Sequence, residues 1–328
     1  MSKPHIVIIS PPTAKANNGN GQTAIRWARF LRQRYRVTLA SAADHAIGNI
    51  APAAMIALHA RRCAVPIAAY AAIFPQVPRI VVLTGTDLYR DIEFDAAARH
   101  SLALATRLVV LQDAGLSVLP RALHSKTSII YQSALSLTPI VKNPGARIGE
   151  VIMIGHLRAE KDPLTFMHAA AKVTSPAVRM IHVGGALEPM LGEQALATQG
   201  RTPCYRWIGD QPRAQTRQRL KRAFLSVVTS IMEGGANVII ESVTSGVPVL
   251  ASDISGNRGM LGDDYEGYFN VGDSQALASL VDRAVTDPAF HARLRAQCAA
   301  RAPLFSPARE KAAVLELVDN CVHQSGRP

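Results

Sequence analysis

The sequence predicts an α/β protein of two domains, each built on a parallel sheet with crossover helices. Three observations lead there. The 328 residues are too many for one compact core and suit two domains of roughly 140–190 residues each. Short apolar runs alternate with longer amphipathic segments, the pattern of strands buried on both faces and of helices that cover them. The alternation lapses over 137–147, which holds two prolines, a glycine and no clear period, and then starts afresh.

In the first half the strands fit 5–10 (HIVIIS), 36–40 (RVTLA), 55–58 (MIAL), 80–83 (IVVL), 108–111 (LVVL) and 128–131 (SIIY). Helices fit between them at 22–34, 65–73, 94–105 and 114–119. After the linker the strands fit 151–155, 179–183, 205–208, 225–229, 248–251 and 267–270, with helices at 163–173, 189–197, 213–222, 236–245 and 274–285. A basic helix near 307–323 closes the chain. Two consecutive doubly wound units of similar size make two Rossmann-like domains facing a cleft. Their expected extents are 1–143 and 144–306, with 307–328 packing back on the first. Ligands of such sheets sit beyond the carboxyl ends of the strands, so functional residues are expected just after strands.

Composition narrows the functional classes. At 48% apolar and 18% charged the chain is globular rather than disordered, and at 5% aromatic its core is expected to rest on Ala, Val, Leu and Ile. Lys and Arg number 36 against 24 Asp and Glu, a net charge of +12 that favours anionic partners: a nucleic acid, a membrane surface or small phosphorylated ligands. Cys63, Cys204, Cys298 and Cys321 are scattered, with no C-x-x-C pair and no His at zinc-ligand spacing, so reduced thiols in a cytoplasmic protein are expected. The opening MSKPHIVIISPP is expected to be neither a signal peptide nor a membrane span, and no later apolar run approaches 18 residues. No stable membrane insertion is expected.

The strongest chemical signal is EGGANVIIE at 233–241, after an apolar strand and before Gly246. Gly234 and Gly235 let a ligand approach the backbone with no Cβ in the way. A helix beginning near Ala236 and Asn237 presents free N–H groups to a phosphate, and Gly246 ends it ahead of the next strand. Glu233 would sit beside the ligand, and Glu241 could accept hydrogen bonds from a ribose diol. The bland alternative is an ordinary loop and a solvated helix face. A second signal, GHLRAEKDP at 155–163, follows the first strand of the second half. Gly155 at a strand end followed by cations suits a pyrophosphate. Lys161 is the candidate to neutralise a leaving phosphate, with Arg158 a second donor. Alternatively Arg158 and Lys161 are surface charges and His156 a packing residue.

Glu233 and Glu241 at E-x7-E spacing, the G-x-L-x-x-x-K pattern of Gly155, Leu157 and Lys161, and the two-domain layout resemble GT-B glycosyltransferases of the family 4 type. Closer still, NNGN at 17–20, QTA-x-RWAR at 22–29, ALHARR at 57–62, LTGTDLYRDI at 83–92, GHLRAEKDP at 155–163, MEGGANV at 232–238 and DDYEGYF at 263–269 resemble the selenosugar synthases of selenoneine biosynthesis. The resemblance spans nearly the whole chain. It implies transfer of a sugar, GlcNAc or glucose, from a UDP-sugar to the selenium of selenophosphate, with release of UDP and phosphate and without a metal cofactor. By position it implies that Glu241 holds the ribose hydroxyls, that Glu233 and the amides of Gly234, Gly235, Ala236 and Asn237 meet the donor sugar and β-phosphate, and that Lys161 meets the pyrophosphate. The wider family usually has arginine directly after the glycine of the 155 segment; here His156 stands there, with Arg158 as the available substitute.

The first half would then supply the acceptor site. Asn18, Gly19 and Asn20, with Thr23 in the helix that follows, make a plausible anion nest or else a surface turn. Thr84, Gly85 and Thr86 also follow a strand and carry hydroxyls for an acceptor oxyanion, whereas Asp87 repels an anion unless it pairs with Arg90 or holds a sugar hydroxyl. Arg61 and Arg62, after the strand at 55–58, could clamp a dianion or be surface charges. His5, His124, His168 and His291 have no motif around them. Two other readings stand beside this one: a glycosyltransferase with a carbohydrate, lipid or thiol acceptor, and a basic module without catalysis. The second is disfavoured because basic residues form no dense run and no aromatic-rich RNA-binding signature is present, so no nucleic-acid partner is expected.

Overall fold

The structure is a computed structural model that describes residues 3–11, 19–43, 47–138 and 149–325. It contains two six-stranded sheets, all of whose strand pairs are parallel. The first holds β1 (His5–Ser10), β2 (Arg36–Ser41), β3 (Ala54–Leu58), β4 (Arg79–Leu83), β5 (Arg107–Val110) and β6 (Thr127–Ile129), in the order β2-β1-β3-β4-β5-β6. The second holds β7 (Gly149–Ile154), β8 (Val178–Val183), β9 (Tyr205–Trp207), β10 (Leu225–Val228), β11 (Val249–Ser252) and β12 (Tyr268–Phe269), in the order β12-β11-β10-β7-β8-β9. Strand order therefore reverses between β1 and β3 in one sheet and between β7 and β10 in the other. Those are the points where loops diverge to opposite sides and open a crevice. The two Rossmann-like units expected from the alternating pattern are both present.

The chain divides into two compact units. One comprises Met1–Gln132, Glu233–Gly235 and Ser306–Pro328, the other Ser133–Met232 and Ala236–Phe305. In the first, the period of two along each strand sends side chains to two separate cores. Ile6, Ile8, Ile56, Leu58, Ile80 and Val82 face the helix Gly19–Leu31, through Trp27 and Leu31, and the closing helix Pro307–Ser325, through Val314 and Val318. Val7, Ile9, Met55, Val81, Leu83 and Leu108 face Ile67, Tyr70 and Leu102 on the other side. The closing helix is held by a buried carboxylate: Glu310 accepts hydrogen bonds from Arg26 Nε at 2.7 Å and Trp27 Nε1 at 2.8 Å. In the second unit Ile152, Ile181 and Val183 pack against Leu220, Ala223 and Val247.

Three differences from the sequence reading have local causes. The first helix begins at Gly19 rather than 22, so Gly19 and Asn20 lie in its first turn, where the Thr23 hydroxyl donates to the Gly19 carbonyl at 2.9 Å. Residues 286–306 carry an unforeseen helix, Pro288–Arg301, started by Asp287 accepting from Phe290 N with proline at its first turn. The helix expected over 94–105 runs Ala96–Leu104, started by Asp95 accepting from Ala98 N, and between β4 and it the chain winds through a π-type turn, Asp87–Asp91, that the sequence reading did not include. Among the described residues, no helix is long and apolar enough to cross a membrane.

Candidate functional site

In the second unit the two motif loops emerge from β7 and β10, adjacent strands at the point where the order reverses. They are joined to each other. Thr229 Oγ1, at the end of β10, donates to the Lys161 carbonyl at 2.7 Å, and Ile231 N donates to the Glu160 carbonyl at 3.0 Å. Lys161 is thus placed by its own backbone, in a short turn over Ala159–Lys161. Its methylenes run beside Gly155, where an added Cβ would lie 3.7 Å from Lys161 Cγ. Asp162 then takes a left-handed conformation (φ 42°) and caps the helix Pro163–Ala170 through Thr165 N and Oγ1. Arg158 points to Glu160, with 4.0 Å between Nε and Oε2.

Gly155 and His156 are gripped from β8 and its following loop. Gly155 N donates to the Val183 carbonyl, and Leu157 N to the Gly185 carbonyl, each at 2.9 Å. Gly185 N donates to His156 Nδ1 at 3.2 Å, which leaves the imidazole proton on Nε2. Gly184 has φ +151°, and a Cβ there would stand 2.0 Å from the Gly155 carbonyl oxygen. His182, which no motif pointed to, lies wholly buried beneath: its Nε2 is 3.2 Å from the Gly155 carbonyl and its Nδ1 3.1 Å from the Tyr205 hydroxyl. Nε2–H therefore donates to Gly155 while Nδ1 accepts from tyrosine. Burial lowers the His182 pKa to about 4, against the hydrogen bond to Gly155, which raises it.

That displacement makes stability pH-dependent. Above the ordinary histidine value of 6.5 both folded and unfolded chains are neutral at this position. As pH falls from there towards about 4, the unfolded chain binds a proton that the folded one refuses, so stability is lost, by up to about 1.4 kcal/mol per pH unit for one proton. Urea unfolding of the protein and of His182→Phe between pH 7 and 4.5 is expected to show a shallower decline in the variant. Equal slopes would count against this assignment. His5 and His59, both also lowered chiefly by burial, account for a residual slope.

The helix after the glycines runs Asn237–Val243, with Ala236 at its cap position and no side-chain cap bond. Glu241 is buried on it, and its Oε1 accepts from Arg213 Nη2 at 2.8 Å. Glu233, Gly234 and Gly235 group with the first unit. There an added Cβ at Gly234 would lie 2.5 Å from the carbonyl carbon of Thr84, and one at Gly235 2.9 Å from Leu111 Cβ, so the double glycine is demanded by packing.

The remaining candidates of the first unit divide. Asn18 lies outside the described residues. Gly19 is exposed and Asn20 half-buried. Thr23 is wholly buried, its hydroxyl donating to Gly19 and accepting from Gln132 Nε2 at 2.5 Å. Asp87 is also wholly buried, and it neither pairs with Arg90 nor faces solvent. Its Oδ1 accepts from Thr84 N and Gly85 N, and its Oδ2 from Ala60 N, all at 2.8–2.9 Å. The Thr84 and Gly85 amides are thereby occupied, and Arg90 pairs with Asp91 instead. The Thr86 hydroxyl meets His59 Nε2 at 3.0 Å, and His59, buried with φ 107°, accepts from Arg62 N through Nδ1 at 3.2 Å. Arg61 pairs with Asp95 at 2.7 Å, while the Arg62 side chain is exposed. Among the described residues, no group of three or more His, Cys, Asp or Glu is arranged to hold a metal ion.

Residues 147–303 match the family model described as glycosyl transferases group 1. Glycosyltransferase 1 domain-containing protein 1 of Xenopus tropicalis is 25% identical over 240 residues, which is 67% of this chain and 69% of that protein. Among solved structures, HepE of Anabaena, crystallised with UDP and glucose, superposes with a TM-score of 0.79 at 18% identity, covering 96% of this chain and 99% of that one. Sucrose-phosphate synthase of Thermosynechococcus elongatus gives 0.80 at 16% identity, covering 98% and 100%. Two parallel-sheet Rossmann-like units in this likeness are the GT-B fold, and residues 147–303 are similar to the group 1 glycosyl transferases.

Proposed function

We propose that the protein is a glycosyltransferase that moves a sugar from a UDP-sugar, UDP-GlcNAc or UDP-glucose, to the selenium of selenophosphate. The C1–O bond to UDP breaks, a C1–Se bond forms, and water then cleaves Se–P to release the selenosugar and phosphate. The observation that carries the donor half is the tie between the 155–161 loop and the end of β10, which holds Lys161 beside the strand leading to the 233–241 segment. An ammonium there meets charge that grows on the departing diphosphate, and the Ala236–Asn237 amides face the same charge. Glu241 receives the ribose hydroxyls, and Glu233 meets the donor sugar. His156, whose Nδ1 accepts from Gly185 N, offers Nε2–H as a donor where relatives place an arginine. The likeness to a fold crystallised with UDP and glucose supports the nucleotide class.

For the acceptor, the support is the run of long subfamily motifs and the excess of basic residues, which suits two anions in one site. Selenium in selenophosphate is already anionic and polarisable, so no strong general base is assigned; Arg61 and Arg62 are exposed cations close in sequence to the buried His59–Thr86 pair, and Arg61 is engaged by Asp95. Incubation with each UDP-sugar and either selenophosphate or a carbohydrate, lipid or thiol acceptor, read as UDP release, tests the assignment. Release that depends on selenophosphate supports it. Turnover only with another acceptor would leave a group 1 glycosyltransferase of different acceptor class. Because Lys161 and helix amides supply the countercharge, chelator-treated protein is expected to retain its turnover, and loss rescued by Mg²⁺ or Mn²⁺ would refute that.

A further inference from the structure

The carboxylate assigned to the ribose is held on a second side by two arginines that no motif marked. Arg213 and Arg217 lie four residues apart on the helix Arg213–Arg222, so one face of it carries both. Arg213 Nη2 donates to Glu241 Oε1 at 2.8 Å, and Arg217 Nε stands 3.9 Å from the same oxygen. The two cations differ in setting. Arg213 keeps 45% of its side chain exposed, whereas Arg217 keeps 14% and donates through Nη2 to the Leu135 carbonyl. Arg217 Nε is buried with no hydrogen-bond partner, aimed at a carboxylate slightly too far away to accept.

A carboxylate offers about four acceptor positions, and one hydrogen bond from Arg213 leaves capacity for two hydroxyl donors. Such a group recognises a diol only if its direction is set beforehand. A glutamate with free torsions must be ordered when the ligand binds, at a cost in affinity; one already clamped at one oxygen has that ordering done.

We propose that Arg213 and Arg217 are positioning residues that fix Glu241 as a ribose acceptor, so that the donor site selects ribonucleoside over 2′-deoxyribonucleoside diphosphates. This rests on the nucleotide reading of Glu241 given above. Calorimetric titration with UDP and with 2′-deoxy-UDP tests it on the full chain, in the wild type and in Arg213→Ala, Arg213→Lys, Arg217→Lys and Glu241→Gln. The wild type is expected to prefer UDP by about ten- to a hundredfold, the worth of one hydrogen bond to a charged group. Arg213→Ala is expected to cut that preference to a few-fold by weakening UDP alone, with partial recovery in Arg213→Lys. Arg213 is half-exposed, so its truncation is tolerated by the fold, and an unchanged thermal midpoint is the control. Equal weakening of both nucleotides, unchanged UDP affinity, or tighter UDP binding would each overturn the proposal. A wild type that binds neither nucleotide, or a Glu241→Gln that leaves UDP affinity unchanged, would instead overturn the donor reading on which it rests.

Discussion

Lys161→Ala is expected to lower turnover with a UDP-sugar by about a hundred- to a thousandfold, equivalent to about 3–4 kcal/mol of lost transition-state stabilisation. The charge on the β-phosphate grows as C1 departs, so a cation at that point contributes more in the transition state than in the ground state, and kcat falls further than KM rises. The structure keeps this test clean. Lys161 is located by its carbonyl, bonded to Thr229, and by the Ile231–Glu160 backbone bond, neither of which involves the ammonium. Truncation therefore leaves the turn in place, and the thermal midpoint is expected to move little. Lys161→Arg, which keeps the charge but lengthens and flattens the head group, is expected to recover part of the rate. Turnover within a fewfold of wild type in Lys161→Ala would detach the lysine from the leaving group, whatever the acceptor.

The sheets were legible in the sequence because parallel strands buried on both faces read as unbroken apolar runs such as IVVL at 80–83 and LSVV at 225–228. The two motif loops, at 155–163 and 233–241, were legible for a related reason: a strand end, a glycine and a cation or carboxylate fall within a few residues of each other. What escaped was chemistry assembled from distant segments. Asp87 looked like an awkward anion until the amides of Ala60, Thr84 and Gly85 closed around it, the first of them 27 positions away. His182 sits inside a strand with nothing local to distinguish it, yet it supports the carbonyl of Gly155. The guanidiniums on Glu241 come from a helix 28 positions earlier, whose basic sequence reads as a solvated face. The helix Pro288–Arg301 did carry a signal, Asp287 before Pro288, but its apolar stripe is thin: Phe290, Leu294 and Cys298 are its buried residues.

Gly184→Ala is expected to be the most damaging single-methyl change in the second unit. At φ +151° an L-residue is strained whatever surrounds it. Here the surroundings forbid it as well, since the new Cβ would sit 2.0 Å from the Gly155 oxygen, 2.5 Å from its carbonyl carbon and 2.9 Å from His156 N. Neither side can retreat cheaply. Gly184 N donates to the Gly209 carbonyl and Trp207 Nε1 to the Gly184 carbonyl, both at 2.8 Å, while Gly155 is fixed through its own N–H to Val183 and through its carbonyl to His182. The combined strain and displaced hydrogen bonds place the loss at about 4 kcal/mol or more, in the range reserved for specific steric failures. Because the atoms forced apart are Gly155 and His156, whatever protein still folds is expected to have lost nucleotide affinity too. Gly200→Ala is the matched control: it adds the same methyl in the helix Pro189–Arg201 with nothing within 4 Å, and is expected to be neutral or to stabilise by up to about 1 kcal/mol. Urea midpoints of the two variants, measured beside UDP titrations, separate a local collapse of the Gly155 loop from a general intolerance of added volume. A Gly184→Ala protein that unfolds with the wild-type midpoint and binds UDP normally would show that the loop has another conformation available.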